Sequence, residues 1–115
     1  MFNTAFSETI EDDQSEARAL ERELLERAMR SIKQADEEPG NFVMRISAIQ
    51  FNIKVWSFFL QDLSSEDNEL PDDLKATLIS IGIFVLKHLQ KMRTETELSF
   101  GPVLSINETI MKGLR

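Results

Sequence analysis

Residues 42–63 read FVMRISAIQFNIKVWSFFLQDL and form the most apolar stretch of the chain. At 100° per residue, a helix over this stretch carries two apolar stripes on roughly opposite sides. One stripe consists of Phe42, Ile46, Ile49, Ile53, Trp56, Leu60 and Leu63, and the other of Met44, Phe51, Val55, Phe58 and Phe59. A helix that is apolar on two sides must be covered on two sides. We therefore expect the other segments to pack around this central helix, and a partner to bind where they leave it uncovered.

Composition sets limits on the kind of protein. The chain has 115 residues, of which 42% are hydrophobic, and it carries a net charge of -7 and no cysteine. Such a chain suits a single domain spanning residues 1–115. Direct binding of nucleic acid is not expected, because it requires a basic surface. No apolar run reaches the roughly 20 residues of a membrane span, and the N-terminus lacks the features of a signal peptide, so we expect a cytoplasmic protein away from the membrane.

The clearest amphipathic pattern precedes the central stretch and covers residues 15–36. Ser15 suits the N-cap of this helix. Its apolar stripe consists of Ala17, Leu20, Leu24, Ala28 and Ile32, widened by Leu25 and Met29. Residues 1–13 allow two interpretations, a frayed flexible arm or an arm that docks Phe2, Phe6 and Ile10.

Two more helices follow the central one. Residues 71–94 have a main apolar face of Leu74, Leu78, Ile81, Val85, Leu89 and Met92. After a linker, Pro102 begins a short last helix that ends near Gly113. Because apolar residues recur at helical spacing and do not alternate, the fold class is all-α. The predicted architecture is a small helical bundle of three long helices plus a short C-terminal helix.

Four residues inside these helices have predicted structural roles, namely Asn52, Trp56, Gly82 and Asn107. Asn52 lies on the apolar margin beside Trp56, where a buried amide must find hydrogen-bond partners and would fix the helix register. Gly82 costs roughly 1 kcal/mol relative to Ala in a helix interior, which is typical of a close helix contact. Asn107 lies among the apolar residues of the last helix.

No residue pattern suggests catalysis or a metal site. The chain has a single histidine, His88, and no cysteine, which argues against zinc. The acidic loop over residues 62–71 lacks the glycine of a calcium-binding loop. There is also no nucleophile pattern and no phosphate-binding glycine loop. We expect a protein-binding module that is not an enzyme and uses no cofactor.

Several short elements, taken in order, resemble the FlaF family of flagellar biosynthesis regulators. They are RALERELLERAM at 18–29, Asn52 with Val55-Trp56, Asp62, Asn68-Glu69-Leu70-Pro71, Leu78-Ile79-Ser80-Ile81-Gly82, Ile106-Asn107 and Ile110-Met111-Lys112-Gly113-Leu114. The family tends to have Tyr near its start and Trp after the Ser-Ile-Gly element. Here Phe2 or Phe6 and Phe84 occupy those places, which keeps the aromatic volume.

The resemblance implies a cytoplasmic bacterial helper of flagellin synthesis and secretion, acting alongside the flagellin translation regulator FlbT. Its expected partners are flagellin and, in one interpretation, FlbT itself. Flagellin's terminal segments stay disordered until they become amphipathic helices in the filament, so a helix-in-groove mode suits a chaperone for them. The alternative is a post-transcriptional regulator that acts through FlbT or flagellin mRNA without chaperone activity.

Spare apolar surface on the second and third helices is the predicted flagellin site. The candidate partner-binding residues are Met44, Phe51, Phe58, Ile83 and Phe84. All five also fit an ordinary core, since Met and Phe at helical spacing are usually buried. A homodimer that pairs the spare apolar face with itself is a further interpretation.

Overall fold

The computed structural model describes the backbone of residues 2–113 and the side chains of residues 16–113. In this part of the chain it contains four helices: α1 (Phe2–Glu37), α2 (Phe42–Leu63), α3 (Asp72–Met92) and α4 (Gly101–Gly113). The described backbone has no strand. The predicted all-α bundle of three long helices and a short C-terminal helix is therefore confirmed.

Helix α1 begins at Phe2, so the predicted start at Ser15 is wrong. The segment before Ser15 contains neither Gly nor Pro, and nothing else in it ends a helix. Its 36 residues correspond to about 54 Å at 1.5 Å per residue, which accounts for most of the molecule's 60 Å length. The side chains of Phe2, Phe6 and Ile10 lie outside the described residues, so the docking of this arm stays a prediction.

Helix α2 has the predicted bounds, and Asn41 caps it. The Met44 amide donates a 3.0 Å hydrogen bond to the Asn41 side-chain oxygen, which satisfies one of the free amides of the first turn. Pro39 and Gly40 form the turn that separates α2 from α1. At the other end, the Ser64 amide donates to the Leu60 carbonyl at 3.0 Å.

Helix α3 is slightly shorter than the predicted 71–94. Pro71 precedes the first helical residue instead of occupying it, with a φ of -57° and an extended ψ of 145°. Asp72 and Asp73 lie in the first turn, where carboxylates interact favourably with the helix dipole. Leu74 was predicted to lie on the packed face, but its side chain is 43% exposed because it lies in the first turn, beyond the buried part of α3.

The bundle is organised around α2. Helices α1 and α3 pack along its two flanks, and α4 packs against α1 and α3. Short loops make the first three helices antiparallel neighbours. The buried apolar residues come from all four helices and the last linker: Leu25, Ala28, Ile32, Ala35, Ala48, Ile49, Val55, Trp56, Phe59, Val85, Leu89, Met92, Phe100 and Val103.

Only one broad face of α2 is buried. Its buried residues are Ala48, Ile49, Asn52, Val55, Trp56 and Phe59, which combine members of both predicted stripes. The two predicted stripes therefore merge into one continuous packed face, with α1 on one flank and α3 on the other, and their inner edges meet at Asn52. The outer members stay accessible, with Phe42 56% and Phe58 43% exposed.

Gly82 lies at the closest contact between α2 and α3. A Cβ atom at this position would lie 2.7 Å from Leu60 Cδ2 and 2.9 Å from Leu60 Cγ. Real Cβ atoms do not approach other heavy atoms so closely. The glycine thus allows the approach of α3 to α2, as the sequence predicted.

Arg45 fixes the linker between α3 and α4, a role that the sequence did not suggest. Its Nη2 donates to the Leu98 carbonyl at 2.9 Å and to the Met92 carbonyl at 3.4 Å. Its guanidinium also lies 5.8 Å from the centroid of the Phe100 ring. These contacts hold the linker against the start of α2 and place Phe100 in the core.

Candidate partner-binding site

A buried hydrogen-bond network sets the relative positions of α1, α2 and α4. Trp56 Nε1 donates to Asn107 Oδ1 at 2.8 Å, and Asn107 Nδ2 donates to Asn52 Oδ1 at 3.2 Å. Asn52 Nδ2 lies 2.9 Å from the Ala48 carbonyl and 3.3 Å from both the Ala28 carbonyl and Ser31 Oγ. Both asparagines are fully buried. The network therefore joins three helices through one chain of side-chain amides.

This network has a consequence for the surface. Polar groups buried without partners are costly, so sliding α1 or α4 along α2 would leave several of these amides unsatisfied. The edge between α1 and α2 is held in one register as a result. Apolar side chains on that edge keep a fixed spacing, which a binding surface requires.

Three of the predicted partner-binding residues form a row on α2. Met44, Phe51 and Phe58 are seven residues apart, so they follow one edge of the helix with a drift of only about 20° per step. Met44 and Phe51 are half-buried and pack against the core, while Phe58 is 43% exposed. The Phe58 ring lies 6.0 Å from the buried Phe59 ring, centroid to centroid. We call Met44, Phe51 and Phe58 the apolar row.

Helix α1 borders the apolar row. The Arg27 guanidinium lies 5.3 Å from the centroid of the Phe51 ring, which places α1 beside this edge. Leu20 precedes Arg27 by seven residues and so projects from the same side of α1. It was predicted to belong to the core, but it is 47% exposed. Leu20 lies at the edge of the predicted stripe of α1, where burial depends on how far α2 covers α1.

The other two predicted partner-binding residues lie elsewhere. Ile83 and Phe84 are 43% and 51% exposed on α3, which packs on the opposite flank of α2. Phe84 stacks on the His88 ring at 6.2 Å, and His88 Nε2 lies 2.7 Å from the Ser99 carbonyl oxygen. Ile83 and Phe84 are 100° apart on their helix, so they do not share one face. The structure therefore does not join the five residues into one surface.

A cleft of about 490 Å³ opens at the end of the bundle where α2 finishes. Its lining residues come from all four helices and the loop between α2 and α3: Ala17, Arg18, Glu21, Trp56, Phe59, Asp62, Leu63, Asp67, Asn68, Glu69, Leu70, Leu78 and Ile110. Burial, and then the nearby Asp62 carboxylate, raise the pKa of Glu21, while Arg18 acts in the opposite direction. Sequence reasoning did not detect this cleft, because it depends on the arrangement of five separate segments.

The described residues form neither a metal-binding cluster nor a membrane-spanning helix. Their His, Asp and Glu side chains include no group of three arranged to hold a metal ion. None of the helices formed by this part of the chain combines the length and apolarity needed to cross a bilayer.

Comparison with known proteins identifies the family. A search of curated proteins returned no match, and neither did a search of solved structures. The model of one protein family, described as flagellar protein FlaF, matches residues 2–114, which is nearly the whole chain. The match includes both asparagines of the buried network and all three residues of the apolar row. The chain therefore belongs to the FlaF family of flagellar proteins.

Proposed function

We propose that this flagellar protein is a non-enzymatic, cytoplasmic helper of flagellin synthesis and secretion that binds flagellin as a chaperone and regulator and acts with FlbT. Membership of the FlaF family supports the link to flagella. The observation that carries the proposal is the apolar row of Met44, Phe51 and Phe58 along the edge between α1 and α2. The occupant of this edge is an amphipathic helix from a terminal segment of flagellin.

The dimensions of the apolar row suit a docked helix. From Met44 to Phe58 the row spans 14 residues, or about 21 Å, which corresponds to about four helical turns of a partner. A partner helix with apolar residues at positions i, i+3 or i+4 and i+7 presents its side chains at a matching spacing. Leu20 on α1 widens the surface on one side.

The exposure of the apolar row suits a reversible contact. Phe58 and Leu20 are 43% and 47% exposed, and Phe51 is half-buried, so each retains apolar surface that a partner can cover. Covering apolar surface is worth roughly 25 cal/mol per Å² before the costs of association. A few partly exposed side chains give a modest affinity, which allows a chaperone to release its client.

Size-exclusion chromatography of the purified chain mixed with flagellin tests the proposal. We expect co-elution with the native chain and loss of the complex with Phe58→Ser, because a polar side chain then replaces the most exposed member of the apolar row. Val43→Ser is the matched control, since Val43 is 77% exposed on the same helix but lies outside the row. Circular dichroism checks that each variant is folded.

The same experiment distinguishes the other surfaces and partners. Loss of the complex with Phe84→Ser, but not with Phe58→Ser, would transfer the site to α3. Co-elution with FlbT and not with flagellin would replace the chaperone role by regulation through FlbT. Light scattering of the chain alone tests for a homodimer. If the measured mass rises with concentration, and if Phe58→Ser removes this rise, the apolar row is a homodimer interface.

A further inference from the structure

The cleft at the end of the bundle is separate from the apolar row. It opens where the core side chains Trp56 and Phe59 approach the surface, between α1, α3 and α4. The apolar row instead follows the outer edge between α1 and α2. The two surfaces share no residue, and they approach each other only where the Phe58 ring lies 6.0 Å from the Phe59 ring.

The cleft combines an apolar floor with an acidic rim. The floor consists of aromatic and aliphatic side chains, namely Trp56, Phe59, Leu63, Leu70, Leu78 and Ile110. Glu21, Asp62, Asp67 and Glu69 contribute carboxylates to the rim, and Arg18 is the one basic side chain among the described residues that line it. An apolar cavity of this size with a few converging polar groups has the form of a ligand site, for which volumes of roughly 300–1,000 Å³ are typical.

Two of the rim carboxylates, those of Glu21 and Asp62, lie close together. The Asp62 carboxylate accepts one 3.3 Å hydrogen bond, from Asn68 Nδ2. Burial, and then repulsion by the nearby Asp62 carboxylate, raise the pKa of Glu21, while Arg18 offsets part of this increase. A positive charge from outside would relieve this repulsion.

The negative charge of the chain disfavours two occupants of the cleft, its own N-terminal segment and a second copy of the whole chain. Residues 1–14 contain apolar side chains at Phe2, Phe6 and Ile10, but they also carry four acidic residues and no Lys or Arg. The whole chain has a net charge of -7. Insertion of this segment into the acidic rim would bring like charges together.

We propose that the cleft binds a cationic amphipathic segment of a partner protein, with apolar side chains on the floor and Lys or Arg side chains against Glu21, Asp62 and Asp67. Apolar contact supplies most of the affinity, while the carboxylates select for positive charge and speed association. The site is additional to the flagellin surface proposed above.

A synthetic peptide of Leu and Lys at helical spacing, lacking Trp, is the probe. Trp56 is the only tryptophan and lines the cleft, so its fluorescence reports occupancy at the site itself. A second peptide with Glu in place of every Lys serves as the reference ligand. We expect the Lys peptide to change the Trp56 emission and to bind at least about tenfold more tightly than the Glu peptide. Raising the salt to about 1 M should weaken this binding by screening.

Variants of the full chain locate the site. Asp62→Asn combined with Asp67→Asn removes two exposed carboxylates of the rim, and we expect it to weaken binding of the Lys peptide at least about fivefold. Glu37→Gln combined with Glu38→Gln removes the same charge at the opposite end of the bundle and should leave binding within about twofold. Leu70→Ser removes an apolar side chain of the floor at an exposed loop position, and it should weaken binding of the Lys peptide.

The outcomes separate this proposal from the flagellin site. Met44→Ser should leave peptide binding unchanged, because Met44 lies at the far end of the apolar row and does not line the cleft. Equal binding of the two peptides, or an undiminished affinity in the Asp62→Asn, Asp67→Asn variant, would overturn the proposal. Light scattering tests whether a second copy occupies the cleft. A dimer of the native chain that is absent from the Asp62→Asn, Asp67→Asn variant would show this occupancy and would also overturn the proposal.

Discussion

Replacing Asn107 with Ala should destabilise the protein strongly, because Asn107 is the central member of the buried network. Its Oδ1 accepts from Trp56 Nε1 at 2.8 Å and its Nδ2 donates to Asn52 Oδ1 at 3.2 Å. All three side chains are at most 2% exposed, so the groups that lose their partner lie away from bulk water. The substitution leaves one buried donor and one buried acceptor unsatisfied.

The expected magnitude follows from the cost of these two groups. Each unsatisfied buried polar group costs about 1–3 kcal/mol, so the free energy of unfolding should fall by roughly 2–6 kcal/mol. The free energy of unfolding of a domain is typically about 5–15 kcal/mol, so the expected loss is a large fraction of the total stability. With a urea dependence of about 2 kcal/mol per M, the unfolding midpoint should fall by at least about 1 M.

Urea unfolding, followed by circular dichroism and by Trp56 fluorescence, measures this loss. Thr109→Ala is the matched control, because Thr109 lies on the exposed face of the same helix and should change stability by less than about 0.5 kcal/mol. The double variant Asn52→Ala, Asn107→Ala should lose less free energy of unfolding than the two single variants combined, because the two amides share a hydrogen bond. If Asn107→Ala unfolds at the native midpoint, the network does not stabilise the bundle and the reasoning is refuted.

Three further predictions concern stability. Gly82→Val should lower the free energy of unfolding in urea by about 1–3 kcal/mol, because the new side chain overlaps Leu60. Gly82→Ala should lower it less, because Ala favours the helix by about 1 kcal/mol relative to Gly. Equal stability of the native chain and both variants would contradict a close contact. Asn41→Ala should lower the free energy of unfolding by about 1 kcal/mol in the same measurement, whereas Asn41→Ser should lower it less, because serine can also cap the helix. An equal loss from both variants would argue against capping. Burial and Asp62 raise the pKa of Glu21, so the folded state holds its proton more tightly than the unfolded chain, and the stability this provides is lost as pH rises through the raised pKa. Glu21→Gln should therefore raise the thermal midpoint at pH 7. The gain should shrink as the pH falls through the raised pKa of Glu21 and reach its minimum below the usual carboxyl range, and an equal gain at all pH values would exclude this linkage.

The sequence predicted the elements that depend on local signals. The bounds of α2 and the packing role of Gly82 each follow from a few neighbouring residues with a known preference. The start of α1 was predicted wrongly, because Ser15 has the features of a cap but the chain before it also favours a helix. A local signal for a start cannot show whether a preceding helix has ended.

The features that depend on tertiary contacts could not be predicted. The bond between Asn107 and Asn52 joins residues 55 positions apart, and only the assembled bundle brings them together. Leu20 was assigned to the core because the width of the buried face depends on how far α2 covers α1. The five predicted partner-binding residues were chosen for apolarity alone, which does not determine the flank of the bundle on which each one lies.

The central claim is that a terminal segment of flagellin contacts the apolar row. A photoreactive phenylalanine analogue placed at position 58, with the same analogue at position 43 as the control, tests this contact most directly. After illumination of the complex with flagellin, mass spectrometry maps the crosslinked peptides. The account predicts crosslinks from position 58 to a terminal segment of flagellin and none from position 43. Crosslinks from both positions alike, or none from position 58 in a complex that co-elutes, would contradict it.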